Sequence, residues 1–459
     1  MKPINITFLF GNGFDKALGL HTGYDDFLYG PREVQDVKGY IESPGKYVYK
    51  RADVCRRPDS GSLGLTSLIE TIKAHVQNEI YKWHLYKWHS VSMRFKSVFG
   101  VGEPHAEGAY TQALRMKSGG GDWSNAELAF GKIKYSEIFE QFLSPDPAKN
   151  VEFVKRAYRA FYGDFTSKLK DHIAGENLRF DVSAADGDAF SFSKEFVRRI
   201  ATFHHHLPHG HKKLVQEVIY GRGAAVINFI TFNYTDTLEQ LIHPYMDKPI
   251  VFGENKTEFK IGKLLHPHGS LIRGDVVFGV DNTGQIDDPL LKQVSESSGV
   301  LVKPRPDDNL GYDAEAEAMS LLDESDIVVL YGVSFGASDC RWWKKLADWH
   351  TQSGKYLVFC PYVQISNISR GPEALRMVRE DCIRSLFQYD GVQATPMAPM
   401  DDDTAKRILI LDIPYRSDEL DAACDYFSLS VIGEQVIARC REQELPSFGD
   451  ARLRRLKSR

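Results

Sequence analysis

An amide at Asn233, in TFNYTD from Thr231, and an imidazole at His268, in HPHG from His266, each stand where a short apolar run ends. A carboxamide donates and accepts at once, and an imidazole titrates near neutral pH. The pair therefore suits orienting a polar ligand and moving a proton. A third motif, GNGFD from Gly11, follows the apolar run Ile4–Phe10 and precedes a helix pattern. Glycines there let the backbone approach a phosphate, and the N–H groups of a following helix favour negative charge. Ligands in open α/β sheets collect at the carboxyl ends of strands, so three such loops in one cleft would make a nucleotide enzyme.

Strands must carry these loops. Besides Ile4–Phe10, short apolar runs occur at Ala225–Thr231, Pro249–Phe252, Lys263–Leu265, Val276–Val280, Ile327–Tyr331 and Tyr356–Cys360. Helix patterns at Ala314–Leu322, Arg341–Thr351 and Glu373–Phe387 alternate with them. That alternation predicts an α/β fold, a Rossmann-like parallel sheet flanked by helices. Residues 1–30 and 221–395 form this domain, interrupted by a large, mainly helical insertion at 31–220. Within the insertion, Leu65, Leu68, Ile69, Ile72, Val76, Ile80 and Trp83 make an amphipathic stripe, and helices are expected at Asn125–Phe142 and Val151–Ile173. The tandem YKWH at Tyr81 and Tyr86 reads as core packing. Residues 396–459 are expected as an α/β extension, with a strand at Ile408–Leu411, helices at Asp418–Leu429 and Ile432–Arg441, and a basic tail.

Composition narrows the class. The 459 residues are 42% hydrophobic and 26% charged, a globular balance with room for two or three domains. A net charge of -5 gives no support for nucleic-acid binding. The tail Arg452–Arg459 holds five Lys/Arg in eight residues and reads as a solvated terminus. Six cysteines without a CxxC pair argue against structural zinc or a disulfide framework. The histidines at 204, 205, 206, 209 and 211 lack an acidic or cysteine partner nearby, so they read as a solvated loop, and no metal is expected. With no apolar run long enough to span a bilayer, no membrane association and a cytoplasmic location are expected.

Each motif has a plainer reading. GNGFD lacks the third glycine of a full GxGxxG and is also an ordinary tight turn. Asn233 is placed to cap a helix or make a turn. His268 reads equally as a buried, satisfied histidine. A fourth motif, GVSFG from Gly332, follows an apolar strand and opens a helix as a nucleophile elbow does. A serine hydrolase at Ser334 needs a histidine, and His350 in the same helix pattern lies roughly 24 Å away at 1.5 Å per residue. Ser334 is better read as a small hydroxyl beside a ribose or phosphate.

In order, GNGFDKALGLHTGYDDFL, WSNAELAFG at Trp123, FNYTDTLE at Phe232, HG at His268 and YGVSFGASD at Tyr331 resemble the AbiH family of bacterial phage abortive-infection proteins. The resemblance spans about residues 4 to 343 and implies an antiviral defence role. Trp123 and Glu127, four apart, share one helical face of its central motif; Glu127 either reaches the cleft or is a solvated partner of a packed Trp. More distantly, the same order of motifs is similar to sirtuin-like NAD-binding domains. That similarity implies a dinucleotide lined by Gly11, Asn12, Gly13, Phe14 and Asp15, by Tyr234 and Thr235, and by Gly332, Ser334, Phe335 and Asp339. It implies Asn233 beside the nicotinamide ribose, holding a water, and His268 as general base. Asp15 stands where sirtuins carry a small hydroxyl residue, and Thr235 where they carry an aspartate. With zinc-binding cysteines missing, the implied activity is hydrolysis of NAD, as substrate, to nicotinamide and ADP-ribose. A phage-derived trigger and a homo-oligomer are the expected partners. The alternatives are a non-catalytic nucleotide-binding module acting through partners and the hydrolase at Ser334.

Overall fold

The computed structural model of the chain describes residues 2–23, 26–27, 127–128, 130–132, 136, 143–185, 190–246, 248–252, 257–304, 313–360, 372–387, 402–411, 427 and 429–442. Trp123, the stripe from Leu65 to Trp83, both YKWH copies, most of Asp418–Leu429 and the basic tail lie outside them.

The central apolar runs form one sheet because they are buried on both faces. Strand β1 (Ile4–Phe10) sends Ile6, Phe8 and Phe10 into one core and Leu9 into another, as the two-residue repeat of a strand requires. Parallel strands β2 (Ala224–Thr231) and β7 (Ile327–Tyr331) flank it. β4 (Thr257–Leu265) pairs with β2, and β8 (Tyr356–Cys360) with β7. A short antiparallel strand, β3 (Pro249–Phe252), closes one edge and β9 (Ile408–Ile410) the other. The order is β3-β4-β2-β1-β7-β8-β9. Coming from β4, the chain crosses β1 to begin building the other side at β7. The strand order therefore reverses between β1 and β7, the position where doubly wound sheets open a ligand crevice.

The expected α/β sheet is thus observed, with differences in detail. β4 is nine residues long, whereas apolarity marks only its end; Glu258, Lys260 and Lys263 alternate with buried Phe259 and Ile261 and interrupt the run. The expected strand at Val276–Val280 is not part of the main sheet. Its first residue ends β6 (Asp275–Val276), which pairs only with β5 (Gly269–Ser270), and Val280 makes an isolated bridge to Val302. In β2, the Asn228 side chain accepts from Lys263 N–H (3.0 Å), and the β2–β4 register shifts there.

Helices cover both faces. α1 (Gly13–Ala17) leaves β1; α2 (Pro147–Leu178) is longer than its sequence pattern because Asp146 caps it through Ala148 N–H (3.0 Å) and Pro147 starts it. α3 (Phe190–Ala201), α4 (His209–Tyr220) and α5 (Thr237–Ile242) pack on the Phe8 face. α6 (Pro289–Ser298) lies against α2 in a separate apolar cluster with Phe130 and Phe278. α7 (Asp313–Glu324), α8 (Cys340–His350) and α9 (Pro372–Phe387) line the Leu9 face. α10 (Leu429–Glu442) lies against α1 and shares the apolar cluster of the Phe8 face, and β9 shares that of the Leu9 face.

In the histidine-rich stretch, His205 and His209 are exposed as expected, whereas His204 is not. His204 is fully buried, sits in a 3-10 turn (Phe203–His206), and bonds the Tyr220 hydroxyl (2.9 Å). Burial pushes its pKa down to about 3. It is a packed residue and not a solvated one. Among the described residues no helix is long and apolar enough to cross a membrane.

Candidate functional site

The motifs beginning at Gly11, Thr231, His266 and Gly332 follow the carboxyl ends of parallel strands β1, β2, β4 and β7. Gly11 N–H continues the sheet by donating to Tyr331 O (2.9 Å), and Gly13 N–H donates to Gly332 O (3.0 Å). A Cβ on Gly13 would stand 2.5 Å from Gly332 Cα, and one on Gly11 would stand 2.4 Å from Gly332 O. Gly332 itself has a φ of 65°. The two glycine motifs are therefore required by each other, at the reversal of strand order. The N–H groups of Gly11, Gly13 and Phe14 donate within the fold (Phe14 to Gly11 O, 2.9 Å). α1 is a single short turn. Asn12 is half-buried and accepts from the Thr22 hydroxyl (2.7 Å); Phe14 is buried against Phe10 and Phe196.

Asp15 joins the first motif to the second. Its two oxygens accept from the hydroxyls of Thr237 (2.7 Å) and Thr235 (2.8 Å), all three side chains being buried. Burial raises its pKa to about 6, against the pull of those two hydrogen bonds. A carboxyl whose folded pKa lies above the unfolded value keeps protons that the unfolded chain has lost. Stability from this group is present below about pH 4 and declines as pH rises towards 6. Asp15→Asn is expected to flatten that decline, raising stability by about 2 kcal/mol at pH 7 relative to the parent. Urea unfolding at pH 4.5 and 7 tests this; an equal difference between the proteins at both values would refute it.

Asn233 follows β2. It is 6% exposed, its N–H donates to Thr231 Oγ1 (3.2 Å), and its carbonyl accepts from His266 Nδ1 (3.1 Å). Its carboxamide is different: neither Oδ1 nor Nδ2 has a hydrogen-bond partner among the described residues. Such a group costs about 1–3 kcal/mol to bury unpaired, and a water or a ligand would satisfy it. His266, the first imidazole of HPHG, is positional: Nε2 lies 2.7 Å from Glu239 Oε1 while Nδ1 holds the Asn233 carbonyl. Tyr234 is also committed, its hydroxyl donating to Val277 O (2.9 Å).

His268, at the end of β4, stacks on Phe232 (centroids 4.6 Å apart), the residue before Asn233. Its Nε2 stands 3.1 Å from Asp339 Oδ1. Burial, with Lys303 close by, lowers its pKa to about 4, so the ring is neutral at pH 7. Asp339 in turn meets Lys303 Nζ at 2.6 Å, and Lys303 meets Glu127 Oε2 at 2.8 Å. Glu127 also accepts from Gly279 N–H (3.2 Å) and from the Ser338 hydroxyl. Burial opposes ionisation of Asp339, yet Lys303 and His268 hold its carboxyl well below the usual range. Beside this chain, Arg341 pairs with Asp281 (3.2 Å) and Glu315 (2.8 Å).

Glu127 is thus 2% exposed, which excludes the solvated reading of it. Lys303 and Ser338 were not singled out from sequence. A lysine inside the apolar stretch from Gly299 to Pro304 was the available signal, because a buried lysine needs carboxylates.

The last motif does not form an elbow. After Gly332 the chain runs irregularly to a 3-10 turn (Ala337–Asp339) before α8 begins. Ser334 is exposed, and the positive φ of 48° belongs to Phe335, whose ring packs on Trp343 and Phe359. His350 is buried with Nε2 against Thr404 O (3.1 Å). The structure therefore brings together the segments of Gly13, Asp15, Asn233, Thr235, His268, Gly332 and Asp339.

Against this geometry, the family model described as bacteriophage abortive infection AbiH matches residues 7–359, more than half of the chain. No curated protein matches it.

Proposed function

Since the chain belongs to the AbiH family of bacteriophage abortive infection proteins, we propose that its part in phage defence is to bind NAD and hydrolyse it. The observation that carries the reading is the buried Asn233 carboxamide with both ends unpartnered, one strand from the β1–β7 reversal. In this reading the dinucleotide lies across the reversal, and Asn233 holds a water opposite the nicotinamide. The water oxygen bonds to C1′ of the ribose as the C1′–N bond breaks. The bonding pair returns to the pyridinium nitrogen and yields neutral nicotinamide, so no strong acid is needed. His268 accepts the water's proton and passes it to solvent. A phage-derived trigger, and self-assembly of the chain, belong to the same proposal as the means of switching it on.

The test follows metabolites in infected cells that express the protein. NAD should fall while nicotinamide and ADP-ribose rise in equal amounts, and Asn233→Ala and His268→Ala should prevent it. Cells that remain protected while their NAD stays constant would overturn the hydrolytic reading and leave the non-catalytic module.

With His268 neutral down to about pH 4, kcat of the active protein is expected to stay level from pH 8 to about 5 and to fall below that. A pH–rate profile checks this; an acid limb centred near 6.5, the ordinary value for histidine, would assign the proton transfer to another group.

A further inference from the structure

The chain of contacts behind His268 has a use beyond stability. We infer that Lys303 is a positioning residue, anchored by Glu127, that keeps Asp339 ionised against His268 Nε2 and so makes Nδ1 the nitrogen that accepts a proton. As a deepening of catalysis at His268, this rests on the NAD-hydrolase reading; as a statement about the imidazole it can be tested apart from it.

A carboxylate beside a ring nitrogen favours hydrogen on that nitrogen and disfavours a lone pair there. Asp339 Oδ1 lies 3.1 Å from Nε2 without the alignment of a formed hydrogen bond, and its charge favours hydrogen on Nε2 and leaves Nδ1 as the basic atom. The same Oδ1 meets Lys303 Nζ at 2.6 Å, so one oxygen is shared between the ammonium and the ring. Lys303 is 1% exposed and cannot turn to water for compensation. Glu127 fixes its other side, and the Ser338 hydroxyl and Gly279 N–H fix Glu127. The charged groups facing His268 are Asp339 and Arg341 around the start of α8 and Lys303 after α6. Arg341 is itself engaged by Asp281 and Glu315. Lys303 is thus the cation that touches the carboxylate on the ring.

Remove that ammonium and burial drives a proton from solvent onto Asp339. The resulting carboxylic acid donates to Nε2, and the ring carries its own hydrogen on Nδ1. The tautomer reverses.

The experiment is nitrogen NMR of the full chain with labelled histidine at pH 7, His268 being assigned among the 15 histidines by its loss in His268→Gln. The parent should show the Nε2–H form, Lys303→Met the Nδ1–H form, and Lys303→Arg the parent form again. If Lys303→Met does not fold, Lys303→Met/Glu127→Gln removes one charge of each sign and should give the same reversal. An Nε2–H signal that persists in a folded variant without the lysine overturns the inference. In turnover, Lys303→Met should lower kcat on the order of 100-fold with KM little changed. A parent that shows the Nε2–H form, with the reversal in Lys303→Met, but never cleaves NAD would sink the functional reading and leave the positioning role standing.

Discussion

Asn233→Ala should abolish nicotinamide release while leaving the fold at least as stable as the parent. Most buried asparagines behave oppositely, because their amides are tied into the structure and truncation strands the partners. Here the carboxamide has no partner to strand. Removing two buried, unpaired polar atoms relieves about 1–3 kcal/mol each of desolvation, against the packing lost with a small side chain. The net change in stability is expected between zero and about 1 kcal/mol in favour of the variant. Activity should fall on the order of 100- to 1,000-fold, the loss found when a group aimed at the reacting centre is deleted. Turnover and urea unfolding on the same preparation decide it. A variant destabilised by more than about 2 kcal/mol would show that the amide serves the fold.

Gly332→Ala is expected to have the largest effect on folding. The residue has a left-handed φ of 65°, and a Cβ there would meet Gly13 Cα at 2.7 Å and Phe14 N at 2.8 Å, all backbone that cannot step aside. The conformation costs roughly 1–2 kcal/mol for a residue with a Cβ, and the overlap a further 1–3 kcal/mol. A total of about 2–5 kcal/mol would remove a large part of the stability of an ordinary domain. Gly274→Ala is the control: φ is 76°, but no atom lies within 4 Å of its Cβ position, so only the conformational part applies. Equal unfolding midpoints for the two variants would contradict the close approach of the two glycine loops.

How much of this was legible in the sequence depended on which physical constraint wrote each residue. β1, β7 and β8 were legible because strands buried on both faces must be apolar throughout. β4 was legible only at its end, since its outward residues include Glu258 and Lys260. The glycines of GNGFD pointed to a close approach, and there is one; the neighbour is Gly332, 319 residues later in the chain (332 − 13), and spacing alone does not reveal that. Asp15 was legible as part of a motif, but its pairing with Thr235 and Thr237 was not. Asn233 and His268 stood out as polar residues at strand ends. Lys303 did not, because its partners come from two distant segments, at Glu127 and Asp339, and neither flanks it in sequence.

The account rests on a bound sugar between Asn233 and His268, and the most direct measurement is a crystal structure of the protein with a carbocyclic NAD analogue that cannot be hydrolysed. The nicotinamide-side ring is expected within hydrogen-bond reach of the Asn233 carboxamide, with His268 alongside it and the pyrophosphate across the β1–β7 reversal. An analogue bound elsewhere, or a cleft that stays empty at saturating concentration with the Asn233 amide still unpaired, would contradict it.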